Sequence, residues 1–298
     1  MLNTQKLTLF AAALAAASAM LGDYNFSAAW EYIGPFYRVV GNEYMQNDRE
    51  GGTAGAGASF ESFYVNFSGS RYRDNVEDSP LFARNVNTDG QADITWTGFD
   101  GWTIGAGYQY ALHETAAEPA GLLPIRLVTT TASGDITYQL ERWTFNLNGI
   151  RSSQDDRTAD DQDTSFVTAG FSAGWISDAL QATPMVTFTR NSDHGSNVDT
   201  DTLTASLNIG GRLWDDKITW DAAGTWTESE ASDRSVDEYS FDTSCRMAYI
   251  FAPSLWGFDN PSIGVEGRYR LTRDRIANTQ DHEQMIYLVL STSRLIAF

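Results

Sequence analysis

Apolar and polar residues alternate strictly along much of this chain. Trp143-Thr144-Phe145-Asn146-Leu147-Asn148 shows the pattern, and so does Trp102-Thr103-Ile104-Gly105-Ala106-Gly107-Tyr108-Gln109-Tyr110. Side chains alternate across a strand with a period of two, so each segment has one aromatic, greasy face and one face of Thr, Asn, Gln, Ser and Gly. A soluble sandwich also alternates, but its apolar face is a packed core of Val, Ile and Leu. Here the motif recurs about a dozen times in segments of about 10 residues, the length of a tilted membrane-spanning strand. The pattern predicts an all-β fold: a transmembrane, antiparallel, up-and-down β-barrel.

The segments come in pairs. Residues 88–97 meet 102–112 through Gly98-Phe99-Asp100-Gly101, and 128–140 meet 143–151 at Glu141. Residues 165–176 meet 182–190 across Asp178, 201–213 meet 217–227 through Trp214-Asp215-Asp216, and 238–251 meet 262–272 through the longer Pro253–Pro261 stretch. A last strand runs from Glu283 to Phe298. Short Gly/Asp turns join the members of a pair. Polar linkers at 74–83, 113–126, 152–163, 191–199, 228–236 and 273–282 join one pair to the next. Short turns on one side and long loops on the other are typical of periplasmic and extracellular ends, which puts the C-terminus in the periplasm. Ser62 onward gives about twelve strands, and Tyr24–Tyr32 adds one. Even strand numbers are the rule in bacterial single-chain barrels, so the total is twelve, or fourteen if a strand hides within 36–50. Fourteen is preferred.

Mean hydropathy is negative, as expected when only alternate residues meet lipid. Beyond residue 20 there is no apolar run long enough for a transmembrane helix. Residues 1–19 read as a secretory signal, with Lys6, an apolar stretch from Leu7 to Ala16, and Ala17-Ser18-Ala19 as the cleavage site. Residues 20–298 are then one barrel domain. The formal net charge of −19 over 298 residues makes nucleic acid a poor partner. Acids concentrate between the alternating segments, as in Asp155-Asp156-Arg157-Thr158-Ala159-Asp160-Asp161-Gln162-Asp163. This run reads as a solvated loop, or as a place for divalent cations beside lipopolysaccharide phosphates. The single cysteine, Cys245, shares a face with Phe241, Met247 and Tyr249 and reads as a small lipid-facing hydrophobe.

The C-terminal run Leu288-Val289-Leu290-Ser291-Thr292-Ser293-Arg294-Leu295-Ile296-Ala297-Phe298 resembles the last strand of Gram-negative outer-membrane proteins. The resemblance implies recognition by the barrel-assembly machinery through the terminal aromatic and alternating apolar residues. Phe298, Ile296 and Leu290 match that pattern, whereas Arg294 and Thr292 depart from it. Trp30, Gly34-Pro35-Phe36-Tyr37-Arg38, Gly41-Asn42, Asn47-Asp48 and Arg73-Asp74-Asn75 are similar to segments of uncharacterised barrel domains that end larger bacterial envelope proteins.

Trp96, Trp102, Trp143, Trp175, Trp220 and Trp226 lie near strand ends. Their amphipathic rings suit a lipid-facing girdle at the headgroup level. With the apolar faces toward lipid, the lumen receives Asp93, Asp135, Arg212, Asp221, Asp242, Arg246, Glu266, Arg268 and Arg270 among its charged groups. The densest charge lies on two paired strands, Asp242 and Arg246 beside Glu266, Arg268 and Arg270. Opposed charges across a constriction order water and select solutes. The other reading is a salt-bridged lumen whose charges satisfy one another. His113, His194 and His282 fall at the extracellular ends of strands, without the spacing of a hydrolase triad. No Walker loop, dinucleotide fingerprint or zinc-ligand spacing is present, so no metal or cofactor is expected. These residues suit a non-enzymatic, porin-like channel for small hydrophilic solutes or ions, in contact with outer-membrane lipid and lipopolysaccharide. The contrasting reading is a non-conducting anchor of an envelope, adhesion or export assembly. A homo-oligomer or an envelope partner is compatible with either.

Overall fold

The computed structural model describes residues 19–21, 24–35, 48–121, 123–158, 162–251, 254–255 and 258–293. Among these, fourteen long strands follow in chain order: β1 Tyr24–Ile33, β2 Arg49–Phe60, β3 Phe63–Asp74, β4 Arg84–Trp96, β5 Trp102–Ala117, β6 Arg126–Leu140 and β7 Trp143–Asp156. They continue as β8 Thr164–Ile176, β9 Leu180–Asp193, β10 Val198–Leu213, β11 Ile218–Ala231, β12 Asp237–Ile250, β13 Phe258–Asp274 and β14 Thr279–Ser293. Two short pieces, Ala19–Leu21 and Ser254–Leu255, pair with β1 and β13. Neighbours in sequence are neighbours in the sheet, so the fold is all-β, antiparallel and up-and-down, as the alternation predicts.

By contact the chain forms two compact units. The first comprises residues 1–135, 150–165 and 193–196; the second comprises 136–149, 166–192 and 197–298. In the first unit β1 to β5 pair in continuous register, for example Phe26↔Ala56, Ala56↔Phe67, Phe67↔Ala92 and Ala92↔Tyr108. In the second, β10 to β14 do the same, through Leu207↔Gly224, Trp220↔Met247, Met247↔Val265 and Val265↔Leu288.

Register preserves the two faces. In the second unit one face carries Leu203, Leu207, Trp220, Trp226, Phe241, Met247, Val265 and Leu288; the other carries Asn208, Thr225, Asp242, Arg246 and Arg268. The apolar face is not a core. Leu207 is 45% exposed, Met247 54% and Phe67, in the first unit, 55%. Among the described residues the buried apolar ones are few: Ile33, Val86, Val128, Ala173, Ala231 and Ala248. Cys245 is exposed on this same face. The apolar stretch covers Ile218 to Trp226 on β11 and Leu203 to Leu213 on β10, then gives way to Glu228, Glu230 and Asp201. At ~3.3 Å per residue this is about 26–33 Å along a strand. A tilt of ~40° projects it onto about 20–25 Å, the height of a bilayer's apolar band.

Three expectations are corrected. The additional strand expected within 36–50 is β2, at Arg49–Phe60. Its run Gly51-Gly52-Thr53-Ala54-Gly55-Ala56-Gly57-Ala58 has almost no contrast between faces, so periodicity could not reveal it. Residues 36–47 lie outside the described part. The linkers expected at 191–199, 228–236 and 273–282 shrink to 194–197, 232–236 and 275–278. Polar residues there end the amphipathic pattern but not the pairing: Thr200↔Ala231, Glu230↔Asp237 and Arg273↔Gln280 are ladder partners. The contrast between short and long ends therefore holds in the first half, where 75–83, 118–125 and 157–163 face 61–62, 97–101 and 141–142. It fades in the second half, where 251–257, on the short-turn side, is the longest connection. The signal segment and its junction, residues 1–18, lie outside the described part, as do residues 294–298 of the expected last strand.

The loop 75–83 shows what part of the N-terminal resemblance does. Asn75 is 5% exposed. Its Oδ1 accepts the Ser79 N–H at 2.8 Å, and its Nδ2 donates to the carbonyls of Ser79 (2.8 Å) and Phe82 (3.0 Å). Asp48 Oδ1 accepts the Val76 N–H at 3.0 Å, and Asp74 accepts Asn85 Nδ2 at 2.9 Å. A side-chain amide that satisfies buried backbone groups fixes a loop that would otherwise bury them unpaired.

Small residues also set close approach. At Gly51, opposite Tyr72, an added Cβ would lie 2.1 Å from the Arg71 carbonyl oxygen and 2.6 Å from the Tyr72 ring. Because the obstacle is backbone, Gly51→Ala should lower the unfolding free energy by about 2–3 kcal/mol. Urea titration of the refolded protein reads this, and an unchanged midpoint would contradict the packing at Gly51.

Candidate functional site

The polar face is where chemistry collects, and each unit has its own charge pattern. In the second unit the register builds rungs of alternating sign. One rung runs Asp221–Arg246–Glu266, across β11, β12 and β13. Another runs Asp242–Arg270–Glu283, across β12, β13 and β14. Arg268 lies between them on β13, opposite Ser244. Arg270 Nε donates to Asp242 at 2.9 Å, and Arg268 donates to Glu266 at 2.7 Å. The five residues expected to carry the densest charge therefore do share one face of two paired strands. Asp221, also expected, completes their set. Four acids face three arginines here, leaving one net negative charge.

Arg212 shares this face but lies apart from the rungs. It stands beside the turn 214–217, is largely exposed, and reaches Asp216 at 4.0 Å. That turn places Trp214, Asp215 and Asp216 in consecutive positive-φ conformations, closed by Lys217 N–H donating to the Trp214 carbonyl at 3.1 Å. Arg212 and Lys217 with Asp215 and Asp216 line a hollow at the end of the sheet.

In the first unit the charged residues described on the polar strand faces are acids, apart from Arg49. Arg49 on β2 donates to Glu31 on β1 at 2.7 Å. Asp89 accepts Ser70 Oγ at 3.1 Å, and Asp93 accepts Gln91 Nε2 at 2.8 Å. Asp93 on β4 and Asp135 on β6 lean over β5 from opposite sides. A methyl at Gly105 would lie 2.2 Å from Asp135 Oδ1, and one at Gly107 would lie 2.9 Å from Asp93 Oδ1. The two glycines open the space that these carboxylates occupy. Asp93 and Asp135 were legible from alternation. Asp89, Glu31 and Arg49 were missed, although Asp89 has the parity of Asp93 and the same signal could have found it.

The six girdle tryptophans all lie on the apolar face. Trp96 packs against Phe63 (ring centroids 6.1 Å apart) and meets Phe99 edge-on at 4.8 Å; Trp143 lies 6.3 Å from Trp175. Trp102, Trp143, Trp175 and Trp220 sit at the short-turn end of their strands, as Trp96 does. Trp226 lies farther along β11, opposite Phe241. Leu290 is on the apolar face of β14, opposite Ile263 and 75% exposed. Phe298 and Ile296 lie outside the described residues.

The acidic run around Asp155 is locally engaged. Asp155 pairs with Arg157 at 2.7 Å, Asp156 accepts the Thr158 hydroxyl at 2.6 Å, and Asp163 accepts the Asp156 N–H at 2.7 Å. Among the described residues no cluster of His, Cys, Asp and Glu could hold a metal ion. His194 Nε2 lies 3.1 Å from Ser165 Oγ, and His113 Nδ1 meets Asn87. No carboxylate hydrogen-bonds to His194 among the described residues. The Asp193 carboxylate accepts the Ser196 N–H at 3.1 Å.

A family model described as a partial PH domain matches residues 275–298, whose described part is the turn 275–278 and strand β14. A search of curated proteins finds no match. Among solved structures, the chain is similar to a bacterial polysaccharide outer membrane secretin at 11% identity, covering 92% of this chain and 90% of that one, with a TM-score of 0.40. It is similar to OmpT, an outer membrane protein of Vibrio cholerae, at 8% identity, covering 92% and 100%, with a TM-score of 0.41. An anion-selective porin from Comamonas acidovorans is similar at 10% identity, covering 91% and 84%, also with a TM-score of 0.41.

Proposed function

We propose that this chain is a bacterial outer-membrane β-barrel that passes small hydrophilic solutes and ions by diffusion, with a preference for cations. The observation that carries the reading is the exposure of large apolar side chains on one face, sharpest on β12. On β12, Phe241, Cys245, Met247 and Tyr249 are exposed, while Asp242, Ser244 and Arg246 on the opposite face are half-buried and Ala248 is buried. Large exposed apolar side chains on one face of a strand are costly in water and favourable in hydrocarbon. The charged face then lines a polar interior, as transmembrane barrels require. The cation preference rests on sign. Among the described residues Asp89, Asp93 and Asp135 have no arginine among their hydrogen-bond or ion-pair partners, and acids exceed arginines on the β11–β14 rungs. Fixed charges of one sign raise the local concentration of the opposite ion.

The refolded protein in a planar bilayer with a salt gradient tests this. Stable conductance steps with a cation-selective reversal potential are the expected result. A heat-modifiable, membrane-inserted protein that never conducts would overturn the channel and leave a closed envelope anchor.

A further inference from the structure

The apolar face of the first unit has a depression. One rung across β1 to β5 reads Ala28–Ala54–Gly69–Gly90–Tyr110. Four small residues in succession leave a valley across four strands, about 15 Å at ~4.8 Å per strand. Phe67, Tyr108 and Tyr110 wall a groove of about 530 Å³ over it. A Cβ built at Gly90 meets nothing within 4 Å, so the hollow is open and not filled by a neighbouring side chain.

A cation stands at its edge. Arg71 lies two residues along β3 from Gly69, on the same face and toward the long-loop end, between Gly52 and Thr88. It is exposed, and among the described residues it has no ion pair or hydrogen-bonded side-chain partner. Its neighbours differ: Arg49 pairs with Glu31, Arg73 with Glu50, and Arg84 with Asp78. An unneutralised guanidinium above an apolar groove matches a molecule with a phosphate above a hydrocarbon chain.

We propose that this groove seats one anionic, phosphate-headgroup lipid of the leaflet at the long-loop end. Its acyl chain covers Gly69 and Gly90, and its phosphate meets Arg71. The inference rests on the membrane reading above and gives that surface a preferred lipid. A second copy of the chain is the competing occupant, but a bare cation at the rim complements a phosphate and does not complement another copy of itself.

The test uses the full protein refolded into phosphatidylcholine vesicles containing either spin-labelled phosphatidylglycerol or spin-labelled phosphatidylcholine. The readout is the fraction of label held motionally restricted. The wild-type protein should retain phosphatidylglycerol preferentially. Arg71→Gln should reduce that preference about fivefold at low salt, while Gly90→Leu should remove the retained lipid of either kind. Gly90→Leu projects into open space, so it should remain heat-modifiable. Equal retention by wild type and both variants would overturn the site. An oligomer in the same vesicles that Gly90→Leu converts to a single copy would overturn it in favour of a protein interface. Failure of the wild type to insert at all would instead sink the membrane reading, and this inference with it.

Discussion

Leu207→Arg should be among the most damaging single substitutions in this chain when it is refolded into a bilayer, costing about 2–4 kcal/mol. Leu207 lies midway along the apolar face of β10 and is 45% exposed. If that face met water, a change there would stay within about 0.5 kcal/mol. In hydrocarbon an arginine must be desolvated or must pull water and headgroups inward. Asn208→Arg, one residue along and on the polar face, should cost far less, because that side already carries Arg246, Arg268 and Arg270. Urea titration in lipid vesicles reads both variants. Equal, small effects would mean that the two faces share one solvent and that no membrane is involved.

Replacing Arg246, Arg268 and Arg270 together with Ala should strengthen the preference for cations about tenfold. A unit charge ~8 Å from a passing ion in a water-like medium contributes about 0.5 kcal/mol, or roughly a factor of two, and three such charges multiply. The removal also exposes Glu266 and Asp242, whose charges are now met by Arg268 and Arg270 at 2.7 and 2.9 Å. Reversal potentials in a salt gradient give the ratio directly. Unchanged potentials would place these rungs away from the ion path.

The charged rungs were legible because two independent signals agreed. The period-two pattern of β12 and β13 set the faces, and the unusual density of Arg, Asp and Glu on one of them set the chemistry. What alternation could not supply was partnership across strands. The valley over Gly69 and Gly90 exists only because β2, β3 and β4 align their small residues on one rung, and no single segment records that alignment. Strand β2 was hidden for a related reason: glycine and alanine differ too little for the period to show. Polar residues at strand ends misled in the opposite direction. Glu228, Glu230 and Arg273 look like loop by composition but continue the ladder, because backbone pairing needs no hydrophobic face.

The alternating signs also constrain which pairings can form at all. A slip of one residue between neighbouring strands would turn every apolar side chain to the wrong face, so amphipathicity alone forbids it. A slip of two residues keeps both faces intact and is the error that hydrophobic patterning cannot detect. Between β12 and β13, such a slip in one direction sets Arg246 against Arg268, and in the other it leaves Arg246 beside Gly264. Between β11 and β12, either slip removes Arg246 from Asp221 and sets it beside Ala223 or Thr219. The charges thus distinguish the observed register from its two-residue slips, which the apolar pattern alone does not.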